Sequence, residues 1–464
     1  MAPVKLTAGH LAEITGGALH GPDVTVVGAG IDSRLIEQGA LFVPVVAGRD
    51  GHRFIDDALA AGAAAYLTAR RPGAGTAVAV GDTVAALTEL GRWARGRIEG
   101  PVVGVTGSAG KTSTKDLLGS VLERVLPTVV SERSFNNELG VPLTLVNGND
   151  GTRAAVIEMG ARGAGHIAWL CDIARPDLGV VTNVSAAHTE LFGTVDAVAD
   201  AKGELIAALP PSGTALLNAD DDRVLAMARR TTATVLTFGI AAGDVRAVDP
   251  VVDGELRVSF RLVSPWGEVD VRLGVRGRHQ AGNAAAAAAA ALAVGVSLDD
   301  VAAGLSSAAS SPWRMEVTPT PRGVLLINDA YNANPASTEA ALRALASVPA
   351  RRRVAVLGPM LELGSLSEGE HRRIAALAAS LGIDVMSVGA AEYGVENVEA
   401  VEDALARLDR LGEGDAVLVK ASRAAGLERV AARLAEGAEG AEGADGADGA
   451  AGAEGAEGAE GAVW

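Results

Sequence analysis

The segment Val102 to Lys115, VVGVTGSAGKTSTK, carries an apolar stretch into a glycine-rich turn and then into residues that suit a helix. That order builds a phosphate loop. Gly107 and Gly110 let backbone amides approach phosphate oxygens around Ser108 and Ala109, and the start of the helix adds its positive dipole end. Lys111 can reach the β and γ oxygens of a nucleotide, the Thr112 hydroxyl can ligate magnesium, and Ser113 completes the polar rim. The strict motif places a glycine five positions before Gly110, where Val105 stands, so the loop is a variant that uses Gly104 and Gly107.

A phosphate loop by itself means nucleotide binding, and the reaction has to be read from downstream residues. Glu158 ends an apolar run in AVIEMG, where a carboxylate can hold magnesium directly or through water. Asn183 and His188 stand in TNVSAAH, and Lys202 lies in AKGE on a helical stretch. Further on come Asn283 in GRHQAGN, Arg314 in PWRMEV, and Asp329 and Tyr331 in LINDAYNANP. Arg offers a planar fork to phosphate oxygens, and Asp accepts protons from ribose hydroxyls. Taken singly, Glu158, His188, Lys202, Arg314 and Asp329 are surface groups more often than ligands.

In this order and number the segments resemble the Mur ligase family, and the resemblance spans nearly the whole chain apart from its last stretch. It implies an ATP-dependent amide ligase in which Thr112 and Glu158 hold one of two magnesium ions and His188 helps hold the second. By the same resemblance Lys202 carries a carbamate, which would turn a repelled cation into an anionic oxygen ligand suited to a hard metal. Lys111, His188, Lys202 and Arg314 are the catalytic set. Asn283 is assigned to the adenine, Arg314 to the γ-phosphate, Asp329 to the ribose, and Tyr331 to the same nucleotide site. Within the family, SFNNELGVPLTL (Ser134 to Leu145), IEMGARGAGHI, DAYNANP and VLGPMLELG are similar to the branch that joins D-alanyl-D-alanine to UDP-N-acetylmuramoyl-tripeptide through an acyl phosphate in peptidoglycan synthesis. Asn136 and Asn137 in the first of these are expected at the substrate. So are Ser33, Arg34, Asp50, Gly51 and His52 in DSRLIEQGALFVPVVAGRDGHRF, which resembles the family's UDP-sugar module. Without the resemblance that stretch reads as a polar strand-loop-strand. Pro359, Ala421 and Gln280 depart from the family's usual Asp, Gly and Asn. The alternatives are another ligase of the superfamily, of third-residue-adding, cyanophycin or folylpolyglutamate type, and a non-catalytic nucleotide-dependent switch.

The elements that must position these residues are legible too. Short apolar runs at Val102 to Thr106, Ala154 to Glu158, Gly179 to Thr182, Ala215 to Asn218, Val324 to Ile327, Val354 to Leu357 and Ala416 to Lys420 alternate with Ala- and Leu-rich helical stretches. This predicts an α/β protein with mainly parallel sheets, which bind ligands at the carboxyl ends of their strands. A chain of 464 residues exceeds one core. Breaks near residues 98 to 100 and at Ser310 to Pro312, after a long Ala-rich helix, divide it into a small α/β substrate domain (1–98), a central P-loop domain (99–310) and a Rossmann-like domain (311–435).

The formal charge is −17, of which eight acidic residues lie between Glu436 and Glu460. The −9 left on the rest still disfavours nucleic-acid phosphates. Cys171, the single cysteine, excludes an internal disulfide and suits a reducing compartment. No basic region followed by a long apolar run opens the chain, and the Ala-rich run is half the length of a membrane span, so a cytoplasmic monomer without membrane or nucleic-acid partners is expected. From Glu436 the AEG and ADG triplets read as a solvated tail able to bury almost no apolar surface. Deleting Glu436 to Trp464 is therefore expected to leave the rate and the melting temperature nearly unchanged, and a large drop in either would show that the tail packs or binds.

Overall fold

The computed structural model describes residues 5–186 and 189–436. His188 and the acidic triplets beyond Glu436 therefore lie outside the described residues. Within them the strands form four sheets, two interleaved in the amino-terminal residues and one each from the two stretches that follow. The fold is α/β, as the alternating pattern predicted.

The largest sheet has nine strands. Within it Val102–Thr106 is flanked by Ala154–Glu158 on one side and Leu178–Val181 on the other, all parallel. These strands are buried on both faces, which is why their sequences read as continuous apolar runs. Alternate residues serve different layers. Val103 and Val105 face helix Lys111–Leu122 and the Ala-rich helix Gln280–Ala293, whereas Val102, Ala155 and Ile157 face Gly140–Val146 and His166–Ala174. Ala284 to Ala291 are all fully buried. Alanine combines the best helix propensity with the smallest side chain, so this helix can lie close against Lys111–Leu122 and hold the phosphate loop from behind.

Two features depart from the sequence expectation. The sheet continues through Val245–Val252, Arg257–Ser264 and Gly267–Arg276, and the last two pairings are antiparallel hairpins. The predicted single Ala-rich helix is two helices, Gln280–Ala293 and Leu298–Ser307. Gly295 turns with φ +87° and the Ser297 hydroxyl accepts the Asp300 amide at 3.1 Å, so one helix is stopped and the next is capped.

A six-stranded sheet follows, with Leu325–Asn328, Asp415–Lys420, Arg352–Leu357, Asp384–Val388 and Glu396–Val398 parallel and Glu316–Pro319 antiparallel at one edge. The amino-terminal residues form a five-stranded and a two-stranded sheet. Their helix Thr83–Arg95 packs on the large sheet's helices, so closely at Gly91 that an added Cβ would stand 2.6 Å from Pro142 Cβ. Asn147 also clips Ala29, accepting its amide at 2.7 Å and donating to its carbonyl at 3.0 Å. The stretch from Asp32 to Phe54 is not strand-loop-strand. It consists of two 3-10 turns around the two-residue strand Leu41–Phe42, because the Asp32 and Asp50 carboxylates accept the amides of Arg34 and His52 and close local turns.

Candidate active site

A cavity of about 1030 Å³ opens where the carboxyl ends of the large sheet's central strands meet the six-stranded sheet's loops. Residues 108 to 113 line it, together with Asn136, Asn137, Glu158, Asn283, Arg314, Asp329 and Tyr331. Thirteen predicted nucleotide, metal and substrate positions from widely separated points of the chain thus share one space.

The phosphate loop is held by the strand next door. Ala109 donates its amide to Asn183 Oδ1 at 2.9 Å, Asn183 Nδ2 donates back to the Ala109 carbonyl at 3.0 Å, and the Ser108 amide donates to the Asn183 carbonyl at 2.9 Å. Asn183 is thus a clamp for the loop backbone. Gly107 adopts φ +151°, and a Cβ there would fall 1.8 Å from Thr182 Oγ1. Gly110 takes φ +82° at the start of helix Lys111–Leu122. Gly107→Ala is therefore expected to lower stability by about 2 kcal/mol and weaken ADP binding at least tenfold, read by thermal melting and titration calorimetry. Unchanged ADP affinity would mean that the loop's shape does not matter to the nucleotide. The Lys111 ammonium donates to the Gly107 carbonyl at 2.9 Å. Burial holds its pKa below the ordinary lysine value, with Glu158 pulling the other way.

Glu158 is 1% exposed, not solvated as a strand-end carboxylate usually is. Asn136 Nδ2 donates to its Oε1 at 2.9 Å, while the buried Oε2 has no hydrogen-bond partner among the described residues. A buried oxygen left without a donor is costly unless something else satisfies it, and a divalent cation beside Thr112 suits it. Lys202, on helix Val195–Ala207, is also 1% exposed. Burial, and secondarily the neighbouring charge of Lys111, hold its pKa well below the ordinary value. The pair with Glu204 that a surface lysine would form is absent, since Glu204 instead accepts the amides of Gly165 and Ala168 at 2.6 and 3.0 Å.

The six-stranded unit reaches into this constellation. Arg314 Nη2 donates to Thr112 Oγ1 at 2.9 Å, its guanidinium lies 4.2 Å over the Tyr331 ring, and its buried Nε is unpaired among the described residues. Both neighbours, Trp313 and Met315, have positive φ, +59° and +50°, a strained backbone that aims Arg314 and Trp313 apart. Asp329 accepts the Lys420 ammonium at 2.6 Å and the Met315 amide at 3.1 Å. Tyr331 hydrogen-bonds Ser134. Asn283 donates to Oε1 of Gln280, the residue that replaces the family's usual asparagine, at 2.8 Å.

Three residues without an assigned role in the sequence also belong here. Asn334 caps helix Pro335–Ser347 and donates through Nδ2 to the Ser108 carbonyl at 3.2 Å, joining the two units at the loop. Lys420 neutralises Asp329. His279 lines the cavity with an Nδ1 that is unpaired among the described residues, and burial lowers its pKa. Asn334 stands before Pro-Ala-Ser, an N-cap signature, but nothing local announces its second bond.

Other expected positions are occupied differently. Asn137 Oδ1 accepts the Leu139 and Gly140 amides at 3.2 and 2.9 Å, so it shapes the start of Gly140–Val146. Ser33, Arg34, Asp50, Gly51 and His52 do not line the cavity. His52 is fully engaged, with Nδ1 against Asp50 Oδ1 at 2.7 Å and Nε2 accepting the Ala69 amide at 3.1 Å. Asp32 holds Arg34 through Nε at 3.0 Å and Nη2 at 2.8 Å. Cys171 is buried, and burial pushes its thiol pKa up to about 12, the behaviour of a core residue rather than a nucleophile. No helix among the described residues is long and apolar enough to cross a membrane.

The chain is also similar to known proteins. Residues 105–291 match the Mur ligase middle domain, and residues 313–423 match the domain described as Mur ligase, glutamate ligase domain. The UDP-N-acetylmuramoyl-tripeptide–D-alanyl-D-alanine ligase of Escherichia coli strain K12 is 36% identical over 449 residues, covering 93% of this chain and 99% of that protein. A crystal structure of MurF from Acinetobacter baumannii superposes with a TM-score of 0.84 at 31% identity, covering 94% of this chain and 99% of the other. The MurF ligase of Thermotoga maritima, solved in complex with ADP, superposes with a TM-score of 0.77 at 32% identity over 87% of this chain and 96% of its own. Matched over nearly its whole length by such proteins, the chain belongs to the Mur ligase family, among the UDP-N-acetylmuramoyl-tripeptide–D-alanyl-D-alanine ligases.

Proposed function

We propose that the chain uses ATP to join D-alanyl-D-alanine to UDP-N-acetylmuramoyl-tripeptide, releasing ADP and phosphate, as a step of peptidoglycan precursor synthesis. The observation that carries the reading is the single cavity in which the phosphate loop, Glu158 and Asn283 face Arg314 and Asp329 from a separate sheet. In this reading residues 1–98 receive the UDP-muramoyl substrate through Ser33, Arg34 and the Asp50 to His52 turn. Residues 99–310 hold ATP, and residues 311–435 close over it, in a cytoplasmic monomer.

Attack of the tripeptide carboxylate on the γ-phosphate brings two anions together, so the site must offset charge while keeping the groups in line. Lys111 and Arg314 supply positive charge from opposite walls. Thr112 and Glu158, with His188 and a carbamate on Lys202, would hold two magnesium ions, which supply further charge neutralisation. Asn283, Asp329 and Tyr331 hold the nucleotide, and Asn136 keeps the Glu158 carboxylate oriented. The acyl phosphate so formed is attacked by the dipeptide amine, and phosphate leaves as the amide closes. The bonds from Arg314 to Thr112 and from Asn334 to Ser108 tie the lid to the phosphate loop, which keeps water from the acyl phosphate.

The test is phosphate release from purified protein. It is expected only when ATP, a UDP-muramoyl tripeptide and D-alanyl-D-alanine are all present. Release with ATP alone at the same rate would favour a nucleotide switch, and release with a single amino acid in place of the dipeptide would favour another ligase of the superfamily.

A further inference from the structure

The reaction leaves one charge of the incoming dipeptide without an assigned partner, its terminal carboxylate. Five Lys and Arg side chains of the described residues line the cavity. Lys111 and Arg314 are committed to the phosphate loop, and Lys420 is buried against Asp329. Arg162 donates to Glu138 Oε1 at 2.7 Å and precedes helix His166–Ala174. That helix is tied to the amino-terminal unit, where Arg92 Nε donates to Asp172 Oδ2 at 3.1 Å, so Arg162 lies toward the muramoyl side. Arg423 remains, on the opposite wall.

Arg423 is built as a receptor. Its guanidinium lies 4.3 Å over the Trp313 ring, and Nη1 pairs with Glu428 Oε1 at 3.0 Å. Stack and ion pair fix the plane of the fork while the side chain stays half exposed, so Nε and Nη2 remain for a carboxylate. Polarity follows from the adjoining loop. Leu361 donates its amide to Ser422 Oγ at 3.0 Å, which ties together the loops after the paired strands Arg352–Leu357 and Asp415–Lys420. Glu362 and Arg423, each one residue beyond that tie, put opposite charges on the lining of the same cavity. Glu362 lies within electrostatic reach of Lys111, so the acidic end of this pair points toward the phosphate chemistry.

Resting on the ligase reading, we propose that Arg423, steadied by Trp313, receives the terminal carboxylate of D-alanyl-D-alanine, with the amine end directed toward Glu362 and the phosphate loop. The experiment compares D-alanyl-D-alanine with its carboxy-terminal amide in the wild type, Arg423→Gln and Arg423→Lys. The wild type is expected to prefer the acid by roughly 10- to 100-fold in kcat/KM, and Arg423→Gln to lose that preference through a raised KM for the acid. KM for ATP and for the muramoyl tripeptide should stay within about twofold, and Arg423→Lys should recover part of the preference because its charge remains. An Arg423→Gln enzyme that still prefers the acid by the wild-type factor overturns the assignment. A wild type that turns over neither form overturns the ligase reading itself.

Discussion

Lys111→Ala is expected to abolish ligation, by roughly 10³-fold or more in kcat, while the protein stays folded. The loop around Lys111 does not depend on its side chain. Its backbone is clamped by Asn183 and Thr182, and the helix behind it is packed against the Ala-rich helix. Among the described residues the ammonium's hydrogen bond is to the Gly107 carbonyl, which the loop can lend to water. Removing a cation already held below its ordinary pKa by burial relieves a desolvation cost, so the melting temperature should fall little or even rise. What is lost is the charge that the loop itself aims at the nucleotide, since the other cation beside Thr112 belongs to the six-stranded unit. Single-turnover phosphate release and circular dichroism melting read the two effects separately. Wild-type turnover in a folded Lys111→Ala protein would remove the loop from the chemistry.

Lys202→Ala is expected to lose at least about 100-fold in kcat, and the loss should be partly reversible by small carboxylic acids. The side chain is buried without a carboxylate partner among the described residues, and the charge of Lys111 acts on it. An ammonium in such a place is disfavoured by both burial and repulsion, so the neutral amine, the form that reacts with carbon dioxide, is favoured. A carbamate there would answer the positive field of Lys111 and supply oxygen ligands. Excess acetate or formate can occupy the space left by Lys202→Ala and offer the same oxygens. Depletion of bicarbonate should slow the wild type and leave Lys202→Ala unaffected. Lys202→Met keeps most of the buried volume and separates lost chemistry from a packing defect of about 2 to 5 kcal/mol. Full activity in both variants would show that the lysine only fills space.

The two variants differ in what they ask of the fold. Lys111 sits on a loop whose shape is set by backbone bonds, whereas Lys202 is part of a packed helix face. That difference is why a stability control decides little for the first and much for the second.

What the sequence by itself determined is what short-range physics controls. Apolar runs ending on glycine or polar residues predicted seven of the strands, with ends within two residues, because a strand buried on both faces must be apolar throughout. The phosphate loop was legible because its glycines, lysine and threonine act within one turn of chain. The hairpins from Val245 to Arg276 were also there to be read in the alternation of VSFRLVS and EVDVRLGVR, but the parallel pattern upstream drew the expectation away from them. The split of the Ala-rich helix had its signals in Gly295 and Ser297.

Only the tertiary structure decided the rest, because each deciding partner lies far away in the chain. Arg314 meets Thr112 across 202 positions and Asn334 meets Ser108 across 226, distances at which no local pattern carries information. Glu158 and Lys202 read as surface charges until packing removed them from water, and it is that removal which leaves an oxygen without a donor and lowers a lysine's proton affinity. Asn137, beside Asn136 in the same motif, lines the cavity but spends its Oδ1 on a helix start, since adjacent side chains meet different neighbours once the backbone turns. Residue types thus settled which chemistry was available, and burial settled which of those groups are left with charge or hydrogen-bonding capacity to spend on a ligand.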